Sequence, residues 1–216
     1  MDMEAKGALA DALVELIPRE FCAALDDGLR AATKRAHAEA AARDEGHRSS
    51  VLGQARHFHQ NEAFALALDA CGIRRNPIKG NGIVVGDLAP AYFARFSISN
   101  PTWNRVRRSA QRLKMSRKNL WLQELVQPGL FEASQLIEGQ ITVFFVSVFS
   151  GSLKVQPDAP VSIDIVVPDV TLSERLFSES LTAFLGRYAE PAQQTDIAHV
   201  RLKEVAQKRQ TGGLTS

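Results

Sequence analysis

Cysteine is scarce in this chain of 216 residues. It has two, Cys22 and Cys71, each set among Ala, Leu and Phe. No Cys-x-x-Cys pair exists, so a thiolate zinc site has no framework. The two thiols read as small buried hydrophobes of a reducing compartment. A long apolar run is also missing. The longest, Ile141 to Phe149, is far short of the roughly 20 residues that a membrane helix needs. The start, Met1-Asp2-Met3-Glu4, is acidic and has no apolar signal core. The expected location is cytoplasmic. Several catalytic patterns are absent too. There is no His-Glu-x-x-His, no Walker loop and no Gly-x-Gly-x-x-Gly, and no Ser/His/Asp or Cys/His triad assembles. Lys79-Gly80-Asn81-Gly82 could gather backbone N–H groups around an anion, but as it stands it reads as a plain turn.

Gly and Pro are missing between Pro101 and Pro128, and acid is nearly missing there as well. The formal net charge is +2, and its distribution is uneven: residues 1–97 sum to −1, 98–127 to +6 and 128–216 to −3. Asn100 suits a helix N-cap and Pro101 the first helical position. Pro128-Gly129 is a stop signal. One continuous helix over 101–126 is expected. Trp103, Val106, Ala110, Leu113 and Leu120 form its apolar face, with Trp121 and Leu125 widening it. Its other side carries Arg105, Arg107, Arg108, Arg112, Lys114, Arg117 and Lys118 against the single acid Glu124. A helix-turn-helix with its turn at Met115-Ser116 is the alternative for this stretch, although Lys114 occupies the place where that motif usually wants Gly.

Around this segment the pattern predicts an α+β protein: a helical N-terminal half, then an antiparallel sheet with flanking helices. A helical hairpin or arm is expected over 1–45, a core domain over 46–190 and a polar tail over 191–216. Residues 4–17 and 19–43 read as helices. The stripe Cys22, Leu25, Leu29, Ala32 and Ala36 must be covered, either within the chain or by a second copy of it. A further helix runs from Ser49 or Ser50 to Cys71 and stops at Gly72. Arg74 to Pro77 reads as a loop. Strands are expected at Ile83–Val85, Tyr92–Ile98, Gln140–Ser150 and Val161–Val167, with a short one at Leu153–Gln156. Thr171 and Glu174 look like a capping box in front of a helix over 172–188.

The basic helix points to non-catalytic binding of nucleic acid, because Lys and Arg on one face neutralise phosphates and release counterions. Docking onto an acidic protein partner is an alternative use of the same face. A second alternative is a metal-dependent nuclease or phosphodiesterase built from Asp164 and the His57–Glu62 region, where His59 and Glu62 share a helix face. The plain reading of that region is the polar end of a packed helix. No cofactor or resident metal is implied.

Overall fold

The structure is a computed structural model that describes residues 3–99, 103, 106, 109–125, 139–150 and 157–188. The N-terminal half is helical, as the alanine-rich composition requires. Helix α1 spans Met3–Leu16, and Pro18 separates it from α2, Arg19–Ala41. Helix α3 spans Glu45–Ala70. It closes with Gly72 at φ +66°, where Ile73 N–H donates to Leu68 O (2.9 Å) and Gly72 N–H to Asp69 O (3.1 Å). Those two bonds satisfy carbonyls that the helix end would otherwise leave open, and the left-handed backbone at Gly72 permits them.

A six-stranded sheet follows among the described residues, in the spatial order β1-β2-β3-β4-β5-β6. Its strands are β1 Arg74–Arg75, β2 Val85–Leu88, β3 Ala91–Ser99, β4 Ile141–Phe149, β5 Ser162–Pro168 and β6 Arg175–Ser180. The fold is α+β. The sheet is mixed rather than wholly antiparallel, because β3 and β4 run parallel, from Ala91↔Ile141 to Ser99↔Phe149. A parallel pair needs a long connection, and here the connection carries the basic segment. Arg74-Arg75, expected as loop, pairs with Asp87 and Gly86 instead.

Alternation along β3 and β4 divides the core in two. On one face Phe93 and Phe145 meet Phe21 of α2 and Phe64 of α3; the Phe21 ring centroid lies 5.4 Å from each of the first two. The stripe Cys22, Leu25, Leu29, Ala32 and Ala36 is fully buried. It is covered within the chain, largely by α3 and the sheet, and this apolar cluster continues into α1 and α6. On the other face Phe96, Phe144, Val146 and Val166 pack with Trp103, Val106 and Met115. Strand β4 is buried on both sides, as its Val- and Phe-rich sequence predicts.

Two expected helices are corrected. The basic segment is not one helix from residue 101. Ser109 is extended (φ −96°, ψ 110°) and caps α4, Ala110–Ser116, with its Oγ accepting from Arg112 N–H. A 3-10 turn, Arg117–Asn119, and α5, Leu120–Leu125, continue the run. Ser116, Arg117 and Leu120 all keep right-handed helical angles, so no helix-turn-helix break occurs at Met115-Ser116. The buried face is Met115, Ser116, Asn119 and Leu122, whereas Ala110 and Leu120 are exposed. Asn119 decides this. Its Nδ2 donates to Thr142 O and Pro168 O, and its Oδ1 accepts from Thr142 N–H at 2.6 Å. The proposed stop at Pro128-Gly129, the Asn100–Pro101 start, the 153–156 strand and the polar tail lie outside the described residues.

The second correction is the helix expected over 172–188. Asp169 Oδ1 takes the N–H groups of Ser173 and Glu174 (2.7 and 3.0 Å), and Leu172 sits at φ +58°. A left-handed residue cannot open a right-handed helix. The chain instead forms β6 against β5, and α6, Leu181–Leu185, starts only at Ser180, whose Oγ accepts from Ala183 N–H.

Candidate functional site

Strand β2 pairs with β3 only from Val85↔Ala94 to Leu88↔Ala91. The second half of β3, Arg95 to Ser99, therefore has no strand on that side among the described residues. A cleft of about 420 Å3 occupies the gap. Helix α3 walls it on one sheet face with Arg56 and His57, and the start of α4 walls it on the other with Ser109 and Arg112. Asn81 and Ile83, from the chain entering β2, close the outer side. The site lies toward the carboxyl end of β3.

Three arginines line this cleft, with no carboxylate among the described lining residues. Arg95 comes from the middle of β3 and is 4% exposed. Its partners are neutral. Nε donates to Asn61 Oδ1 (3.0 Å), Nη1 to Gln60 Oε1 (2.8 Å) and Nη2 to His57 O (2.6 Å). Burial pulls its pKa down to about 9, which still leaves it charged at neutral pH. Arg56 Cζ lies over the Phe149 ring, 3.9 Å from its centroid, and Nη2 donates to Pro157 O (3.1 Å). Arg112 lies 4.4 Å from the Phe96 centroid. Burial lowers the pKa of both. The Nε groups of Arg56 and Arg112 are buried without a hydrogen-bond partner among the described residues.

Behind the arginines the layer between α2, α3 and the sheet changes from phenylalanine to polar groups. Gln60, fully buried, donates to Thr33 Oγ1 (2.9 Å) and accepts from Ser97 Oγ (2.8 Å). Asn61 donates to Gly82 O (3.1 Å) and to the His57 ring. This network fixes the guanidinium of Arg95 in place. His57 stands 3.3 Å from Arg95 Nη2. Burial and then the Arg95 charge hold its pKa below the usual histidine value, while a hydrogen bond to the Asn81 backbone works the other way.

Of the seven basic residues expected on one helix face, Arg105, Arg107 and Arg108 lie outside the described residues. The other four do not form a common solvent stripe. Arg112 is folded onto Phe96. Lys118 lies 3.8 Å from the Tyr92 ring centroid and donates to Gln140 Oε1 (2.6 Å). Lys114 and Arg117 are exposed and three residues apart, so they share the outer side of the run with Gln111 at the cleft mouth.

The nuclease constellation does not converge. Asp164 alternates onto the sheet face of Val166, and α3 with His57 and Glu62 packs on the face of Ile163 and Ile165. Among the described residues no three His, Cys, Asp or Glu side chains are grouped to hold a metal ion. His59 and Glu62 do share a face, at 3.4 Å, but His59 Nε2 turns to Glu39 of α2 (3.0 Å) and ties the two helices together. Cys22 and Cys71 are both free; Cys22 is buried and Cys71 half-buried.

No family model, curated protein or solved structure matches this chain. The site therefore stands on its own geometry. Its main residues, Arg56 and Arg95, gave no periodic signal in the sequence. The available sign was a charge at the centre of an apolar strand, Tyr92-Phe93-Ala94-Arg95-Phe96, where a solvated arginine would be out of place. No helix among the described residues is long and apolar enough to cross a membrane.

Proposed function

We propose that this chain is a non-catalytic binding protein for nucleic acid, contacting the phosphate backbone along α4 and at the mouth of the cleft. The observation that carries it is the cleft itself, with three arginines and no lining carboxylate among the described residues. Lys114 and Arg117 extend that charge along the outer side of the α4 run. The local excess of +6 over 98–127 supports the same reading. Contacts to phosphate carry no base information, so binding has little sequence preference.

The test is the salt dependence of binding to a single-stranded oligonucleotide. Each phosphate contact contributes a slope of about −0.7 in log K against log salt. Replacing Lys114 and Arg117 together by Gln keeps helix propensity and should flatten the slope by about one to one and a half. A wild-type chain that retains neither DNA nor RNA at low salt would contradict the reading.

A further inference from the structure

The cleft holds more positive charge than its walls compensate, and two features separate it from a solvated arginine patch. Its guanidinium groups are pre-set: Arg95 by Gln60, Asn61 and His57, Arg56 by Phe149 and Pro157, and Arg112 by Phe96. Two of them, Arg56 and Arg95, are also less than a tenth exposed. These three guanidinium charges, with no carboxylate among the described lining residues, suit an anion from outside the chain.

We propose that this cleft is a binding site for a phosphomonoester group, carried by a small molecule or by the end of a nucleic-acid strand. Three arginines from three separate elements, α3, β3 and the start of α4, line it. A phosphomonoester presents three terminal oxygens and about −1.5 to −2 charges at neutral pH. A phosphodiester or a carboxylate presents two free oxygens and one charge, which balances less of the charge of the three arginines. The arginine fork matches phosphate oxygens in pairs. Ser109, whose Oγ already accepts from Arg112 N–H, has its hydroxyl proton left to give. The volume of about 420 Å3 lies within the range of small-ligand sites and exceeds a bare phosphate, so the group bearing it has room against Ile83 and Phe96.

The site includes Arg112 at the start of α4 but neither Lys114 nor Arg117, and calorimetry on the full chain separates it from the backbone contacts of the proposed function. Inorganic phosphate and adenosine monophosphate are titrated at an ionic strength held constant with chloride. Saturable one-to-one binding is expected for both. Arg56→Gln and Arg112→Gln, tested singly, should each weaken it by roughly 10- to 100-fold, the loss of one charge-assisted hydrogen bond. Arg35→Gln, an exposed change on α2, should not. Melting curves without ligand confirm that each variant folds, and either variant alone suffices. A 5′-phosphorylated oligonucleotide that binds at least tenfold more tightly than its 5′-hydroxyl twin assigns the strand end as the source. Equal binding of the twins beside tight adenosine monophosphate assigns a small molecule. No saturable phosphate or nucleotide binding in the wild type, or wild-type affinity in both folded arginine variants, overturns the proposal. Retention of the 5′-hydroxyl twin reports on the α4 surface alone.

Discussion

Arg95 shows at the level of one residue how the chain spends stability on a site. A strand residue flanked by Ala94 and Phe96 is placed where the sheet meets α3, so its charge is buried. Amide and carbonyl oxygens around it supply hydrogen bonds but no counter-charge. Burial of a charge without an ionic partner disfavours the folded state, and residues held this way concentrate at functional sites. The consequence reaches His57. Its folded pKa lies below the ordinary value of 6.5, through burial first and the Arg95 charge second. The unfolded chain therefore binds the proton more readily. Stability attributable to His57 is complete above about pH 6.5, is lost as pH falls below it, and the loss levels off once the folded pKa is passed. Denaturant melts of the wild type and His57→Gln at about pH 7.5 and about pH 5.5 check this. The wild type should lose more stability than the variant over that interval, and equal losses would show that His57 is not held neutral.

At the level of elements, the helices and strands with an apolar period were legible, and those positioned by polar side chains were not. Alanine-rich α2, the Gly72 stop of α3 and the alternating β3 and β5 follow from periodicity alone. The basic run misled because its sequence offers a good start at Asn100-Pro101 and an apolar row through Leu120. The docked face is instead set by Asn119, which reads as a surface residue until its three bonds to Thr142 and Pro168 are seen. The 172–188 segment misled in the same way. Asp169 captures two N–H groups beside Thr171, and the apparent capping box never forms. The candidate site was legible only in part: Arg112 was marked by its basic context, but Arg95 became a site residue through burial that a single strand pattern cannot report. Asn119→Ala follows as a test of the docking. It leaves the Thr142 N–H and two carbonyls without their partner in a buried place, so it should cost about 2–4 kcal/mol. Urea denaturation measures it. A loss under about 0.5 kcal/mol, the range of surface changes, would mean that α4 is held by Met115 and Leu122 alone.

At the scale of the whole molecule, the layout concentrates charge where the sheet is incomplete. Short β2 leaves half of β3 without a strand on its outer side among the described residues, α3 and the start of α4 flank the gap from opposite faces, and the parallel β3–β4 connection brings the basic segment there. The aromatic cluster of Phe21, Phe64, Phe93 and Phe145 lies on the α2–α3 side of the sheet and keeps that wall rigid. The central claim is that this gap is a built anion site rather than a chance meeting of arginine stems. The most direct measurement is the NMR spectrum of the arginine Nε–H groups during titration with inorganic phosphate at constant ionic strength. The account predicts that Arg56 and Arg112, which line the cleft, shift along one saturable curve, and that exposed Arg35 does not move with them. Parallel, unsaturated drift of all three signals, or no movement at Arg56 and Arg112, would contradict it.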